Sequence, residues 1–151
     1  MRRLARRSIS PACRANVTDG LDMREVCRHS SGRRCVRLRV GSVDELRHEG
    51  CRVVTVHGRR IGILSVDDEF FAVRNKCPHK GAPLCEGTVA GTFVPSGPHE
   101  YVYGMENRVL RCPWHGWEFD LTTGRSLFQP DDVRVKVYPV TVEGDEVILH
   151  A

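Results

Sequence analysis

Asn75-Lys76-Cys77-Pro78-His79-Lys80-Gly81-Ala82-Pro83-Leu84 and Cys112-Pro113-Trp114-His115-Gly116-Trp117-Glu118-Phe119-Asp120 are the two stretches on which the fold of this chain turns. Each offers one thiolate and one imidazole, at Cys-x-His and Cys-x-x-His spacing. Either spacing lets both side chains reach one site. Proline after each cysteine stiffens the loop and removes a competing backbone donor. Glycine just past each histidine lets the backbone turn sharply and pass close to whatever is bound. A Cys₂His₂ set can hold zinc, or a 2Fe–2S cluster with cysteines on one iron and histidines on the other.

Outward from these stretches the text is strand-like. Val36–Val40 alternates with period two, as a half-buried strand does. Ser42 reads as an N-cap with Glu45 three residues on, opening a short helical turn. Arg52–His57, Ile61–Val66 and Glu69–Arg74 read as a three-stranded meander, with turns at Gly58-Arg59-Arg60 and Asp67-Asp68. From 75 to about 130 the chain is punctuated by Gly and Pro, with short β-like pieces at Thr88–Val94, Tyr101–Tyr103, Val109–Arg111 and Glu118–Asp120. Val133–Tyr138 alternates, and a turn at Glu143-Gly144-Asp145 leads into Glu146–His150. Helical periodicity is not sustained anywhere. The expected fold is all-β, an antiparallel β-sandwich with a loop-built metal module inserted between strands.

The 151 residues suffice for one domain with a real core. Residues 1–39 hold eleven arginines against Asp19, Asp22 and Glu25, a net of +8, while residues 40–151 carry a net of −4. The basic character therefore belongs to a tail, and 1–35 is expected to be disordered. Other readings of it are a nucleic-acid tail, an organelle address, or untranslated sequence ahead of a start at Met23. The acidic body argues against nucleic-acid binding and suits a basic partner face. No apolar run approaches the roughly 20 residues of a membrane span, and no secretory h-region opens the chain. The expected compartment is the reducing cytoplasm. There, seven cysteines point to metal ligands or free thiols before disulfides. Cys51 and Cys85 are expected to be packing residues, and His48, His57, His99 and His150 surface groups.

With Pro78, Gly81, Pro113 and Gly116 where they stand, and Thr123-Gly124 following, the two motifs resemble the Rieske 2Fe–2S family. The likeness spans residues 36–151, with 75–130 as the cluster-binding part. It implies one 2Fe–2S cluster per chain, Cys77 and Cys112 on one iron and His79 and His115 on the other. It places the histidines at the tip of the protein, where electrons are exchanged.

Departures from the family pattern narrow the branch. Rieske proteins of quinol-oxidising complexes carry two further cysteines, joined as a disulfide, where this chain has Ala82 and Trp114. They place Ser and Tyr hydroxyls on the cluster sulfurs where this chain has Trp117 and Phe119. Fewer donors to sulfur stabilise the reduced state less. A potential near the low end of the Rieske span, about −150 mV, is expected. Between His79 and Cys112 lie 32 residues, about twice the usual separation. The surplus falls in 93–107, readable as a docking surface or as a tolerated loop; either way, Tyr101 and Tyr103 would extend a hairpin.

The resemblance implies a soluble ferredoxin-like carrier, taking single electrons from a reductase to a partner such as a ring-hydroxylating oxygenase. It would not be catalytic alone, because no second domain with a 2-His-1-carboxylate iron is encoded. Two alternatives stand beside it: a small redox subunit like that of assimilatory nitrite reductase, bound to its large subunit, and a structural zinc module for protein interaction.

Overall fold

The computed structural model describes residues 24–28 and 34–151. Its strands are β1 (Arg24–Arg28), β2 (Arg34–Ser42), β3 (Cys51–Val56), β4 (Arg59–Val66), β5 (Glu69–Arg74), β6 (Thr88–Val94), β7 (Val102–Arg111), β8 (Glu118–Asp120), β9 (Val137–Tyr138), β10 (Val140–Glu143) and β11 (Glu146–His150). They form three antiparallel sheets, ordered β1-β2-β11-β10, β3-β4-β5-β9 and β6-β7-β8. One helix, α1 (Val43–Glu49), follows β2. Ser42 caps it, with its hydroxyl accepting from Glu45 N and the Glu45 carboxylate accepting from Ser42 N, the reciprocal box expected from the sequence.

The β3-β4-β5-β9 sheet is the middle layer, and alternation along β4 shows why. Ile61 and Ile63 point into a core shared with Val36 and Val40 of β2 and Val147 and Leu149 of β11. Leu64, on the opposite face, joins a second core with Leu84, Leu110, Phe119 and the two motif cysteines. β5 divides likewise, Ala72 to the first core and Val73 to the second. One sheet is thus the floor of the sandwich and the base on which the loop module stands.

Four local expectations need correction. Residues 24–28, read as part of a disordered tail, form β1, which pairs along β2 from Arg24↔Leu38 to Arg28↔Arg34; the free edge of β2 supplies the backbone partners that composition does not reveal. Residues 1–23 and 29–33 lie outside the described residues. The pieces Tyr101–Tyr103 and Val109–Arg111 belong to one strand, β7, whose pairing with β6 shifts register between Ala90 and Thr92. The partner of β11 is β10, while the alternating Val133–Tyr138 is regular only at Val137–Tyr138. Cys51 and Cys85 are joined as a disulfide.

Candidate metal centre

Two loops built to one plan carry the motifs. In the first, Cys77 N donates to Ala82 O (2.8 Å) and Gly81 N donates to Cys77 O (2.8 Å). In the second, Cys112 N donates to Trp117 O (2.8 Å) and Gly116 N to Cys112 O (3.1 Å). Each loop closes five residues after its cysteine and turns on a left-handed glycine, Gly81 at φ 83° and Gly116 at φ 70°. A side chain at either would be strained there. The loops differ in where the histidine falls, two residues after the first cysteine and three after the second.

Both loops are rooted in the same core. Cys77 is 1% and Cys112 2% exposed, packed with Leu84, Leu110 and Phe119. The Cys112 thiol is near enough to act on the Cys77 thiol. Burial pushes the Cys77 thiol up, and the Cys112 thiol adds to this; the backbone N–H groups of His79 and Lys80 pull the other way by favouring the thiolate. The histidines are placed oppositely. His79 and His115 are exposed, with ring centroids 4.8 Å apart and planes at 79°.

The donors thus sort by kind, sulfur with sulfur inside and imidazole with imidazole outside. Two like pairs side by side suit two metal atoms with different ligands.

Aromatic rings pack the outer face. Trp117 stacks on His79 at 5.2 Å and on Phe119 at 6.4 Å, and meets Phe128 edge-on at 6.0 Å. Beside His115 opens a cavity of about 760 Å³, lined by Phe93, Val94, Met105, Trp117, Leu127 and Phe128 among others. One wall is the β6–β7 hairpin, where the surplus residues sit. Phe93 meets Tyr101 and Tyr103 edge-on, at 6.3 and 5.6 Å. Glu118 braces the base, accepting from Thr92 Oγ1 (2.8 Å) and from Arg111 Nε (3.1 Å). Phe93, Tyr101, Tyr103 and Phe128 are all well exposed.

The Rieske [2Fe-2S] domain model matches residues 36–139. The chain belongs to the Rieske 2Fe–2S family. This Rieske protein is 32% identical, over 96 residues, to the ferredoxin component of the naphthalene 1,2-dioxygenase system of Pseudomonas aeruginosa, a match covering 64% of this chain and 77% of that protein. The ferredoxin of carbazole 1,9a-dioxygenase from Nocardioides aromaticivorans superposes with a TM-score of 0.59 at 26% identity, covering 75% of this chain and 95% of that one. A putative NADH-dependent nitrite reductase small subunit from Mycobacterium tuberculosis shares the fold, with a TM-score of 0.60 at 22% identity over 78% of this chain and 96% of that one. The cofactor of the family is a 2Fe–2S cluster, so the zinc reading is overturned.

The structure also shows what the branch lacks. Ala82 is buried and Trp114 exposed, and neither supplies a sulfur for an interloop disulfide. Phe119 fills the core without a hydroxyl. Trp117 lies against His79, on the other loop. His150, expected at the surface, is half-buried in β11, with Nε2 2.9 Å from Thr141 Oγ1.

Proposed function

We propose that this Rieske protein carries single electrons from a reductase to a ring-hydroxylating oxygenase, with Cys77 and Cys112 holding the buried iron and His79 and His115 the outer one. When bound, the cluster takes up and gives back one electron. The observation that carries this reading is the sorting of donors, thiols buried and imidazoles exposed at one end. A domain of 36–151 with 75–130 as its cluster-binding part belongs to the same reading; the second core beneath the loops supports the cluster-binding part, and β1 and the first residues of β2 extend the sheet ahead of residue 36.

The chain's own residues do the rest. The N–H groups of His79 and Lys80 offset the negative charge at Cys77. Phe119, Leu110 and Leu84 keep water from the thiolates. Trp117 fixes the His79 ring. The aromatic hairpin wall and the cavity beside His115 present apolar surface where a partner would dock. Glu100 and Glu106 on the hairpin and Asp131-Asp132 after Phe128 are exposed acids, which favour a basic partner face. Among solved relatives is a complex of reduced oxygenase and oxidized ferredoxin in carbazole 1,9a-dioxygenase.

Purified protein is expected to be red-brown, with a reduced-state EPR signal averaging below the free-electron g value. Once reduced, it is expected to reoxidise when mixed with a ring-hydroxylating oxygenase. A colourless protein, or one whose EPR lacks that signal, would refute the ligand assignment. Cluster without transfer would favour the second reading, a nitrite reductase small subunit, which the shared fold supports and which a co-purifying reductase would establish. A cytoplasmic location is part of the proposal, supported by the ferredoxin relatives; fractionation of the host tests it.

A further inference from the structure

We infer that Cys51–Cys85 is a thiol–disulfide exchange site that locks and releases the first ligand loop. Cys51 opens β3 in the middle sheet. Cys85 sits in the 3-10 turn Leu84–Glu86, directly after the loop that carries Cys77 and His79. The bridge spans 34 positions, with Cα atoms 5.8 Å apart. It fastens the far end of that loop to the sandwich.

The neighbouring strand is shaped for the bridge. Gly62 lies on the face of β4 that carries Leu64, toward Cys85. A Cβ there would overlap Cys85 Sγ and lie 3.4 Å from Cys51 Sγ. Both bridged cysteines are half-buried residues, less enclosed than the buried Cys77 and Cys112. Cys77 and Cys112 are shielded in the core, which separates the exchangeable pair from the other two.

Exchange needs a dithiol reductant of the thioredoxin class. Its thiolate attacks one sulfur, the Cys51–Cys85 bond breaks, and a mixed disulfide forms. Its second thiol then closes the reductant's own disulfide. Two electrons and two protons pass to Cys51 and Cys85, leaving two thiols. What then holds the segment is non-covalent: the Cys85 N–H donated to Asn75 Oδ1 (2.8 Å), the buried Ala82 and Leu84, and the backbone bonds from Cys77 N to Ala82 O, Gly81 N to Cys77 O, Glu86 N to Pro83 O and Gly87 N to Leu84 O. The bridge is the one covalent tie among these, so its reduction would lower the free energy at which 81–87 opens locally. The inference rests on Cys77 and His79 forming a cluster loop only for its consequence, faster iron loss; the lock itself is read separately.

The test uses the cluster-loaded full chain, with and without dithiothreitol. Iodoacetamide labelling and peptide mass mapping should find Cys51 and Cys85 bridged before reduction and labelled after it. Amide exchange across 81–87 should quicken roughly tenfold or more on reduction. Cys51→Ala/Cys85→Ala should exchange fast from the start and ignore the reductant. Free thiols at 51 and 85 before reduction would overturn the inference, as would unchanged exchange after it. An equal reductant effect in the double variant would assign the effect to the cluster and overturn it too. Quickened exchange without faster iron release to a chelator would uphold the lock and show that cluster retention does not depend on it, while the ligand assignment stands or falls on the colour and EPR signal of the loaded chain.

Discussion

Trp117 lies against His79, ring centroids 5.2 Å apart and planes 20° apart, although the two residues come from different loops. The indole spans the gap between the loops and covers one face of an imidazole that is otherwise exposed. Trp117→Ala is expected to admit water there and so stabilise the more negative, reduced state. The potential should rise by tens of millivolts, as solvent exposure of such clusters does. Trp117→Ser with Phe119→Tyr should raise it further by adding hydroxyl donors near sulfur. Protein-film voltammetry reads both; a level or lowered potential would contradict the account.

Replacing His115 or His79 by Cys exchanges a neutral ligand for a negative one. The potential should fall toward the about −400 mV of all-cysteine plant-type ferredoxins. Cys77→Ser or Cys112→Ser should lose the cluster on purification. Absorbance per chain and the EPR line shape check each variant.

Loss of the Cys51–Cys85 bridge should cost stability as well as loop anchorage. A loop of 34 positions corresponds to roughly 3–4 kcal/mol on chain-entropy grounds. Urea unfolding of Cys51→Ala/Cys85→Ala against the oxidised parent measures it. Gly62→Ala should be worse than an ordinary strand substitution, because its methyl group has no space beside the sulfurs.

His150 gives the protein an acid-side stability slope. Burial first, then the positive charge of Arg37, hold its pKa below the ordinary value, while Glu143 raises it. The unfolded chain therefore takes up the proton first. Stability from this group is full above about pH 6.5 and falls as pH drops from there toward the folded-state value. His150→Gln should flatten the loss between about pH 7 and 5 in parallel urea titrations. An NMR titration of His150 should show a midpoint below that of a free histidine.

The hairpin wall predicts a separation of docking from redox chemistry. Phe93→Ala with Tyr103→Ala should slow reoxidation by an oxygenase roughly tenfold, as loss of interface aromatics does, and leave the potential unchanged. A shifted potential with normal transfer would place these rings in the cluster's surroundings instead.

Most of the site was legible because its signals are local. Pro78, Gly81, Pro113 and Gly116 dictate two loops within a few residues each, and the Ser42–Glu45 box is a four-residue pattern. The β3–β4–β5 meander follows from turns that proximity makes cheap. What the sequence hid depends on distant partners. Cys51 and Cys85 read as packing residues because nothing near either names the other, and the glycine that accommodates their bridge stands on a third strand. β1 borrows its order from the edge of β2. Val133–Tyr138 alternates like a strand, but forms a regular ladder only at Val137–Tyr138, opposite Ala72 and Val73 of β5, while Arg134 makes an isolated bridge to Arg125. Trp117 reached His79 only once both loops were folded side by side.

The single exposed end of the site governs traffic. His79 and His115 leave the fold at one spot, and the thiolate side is sealed by Leu84, Leu110 and Phe119. Donor and acceptor must therefore take turns at the same doorway. A reductase in large excess would occupy it and starve the acceptor, so turnover should pass through an optimum in reductase concentration and follow a ping-pong rate law.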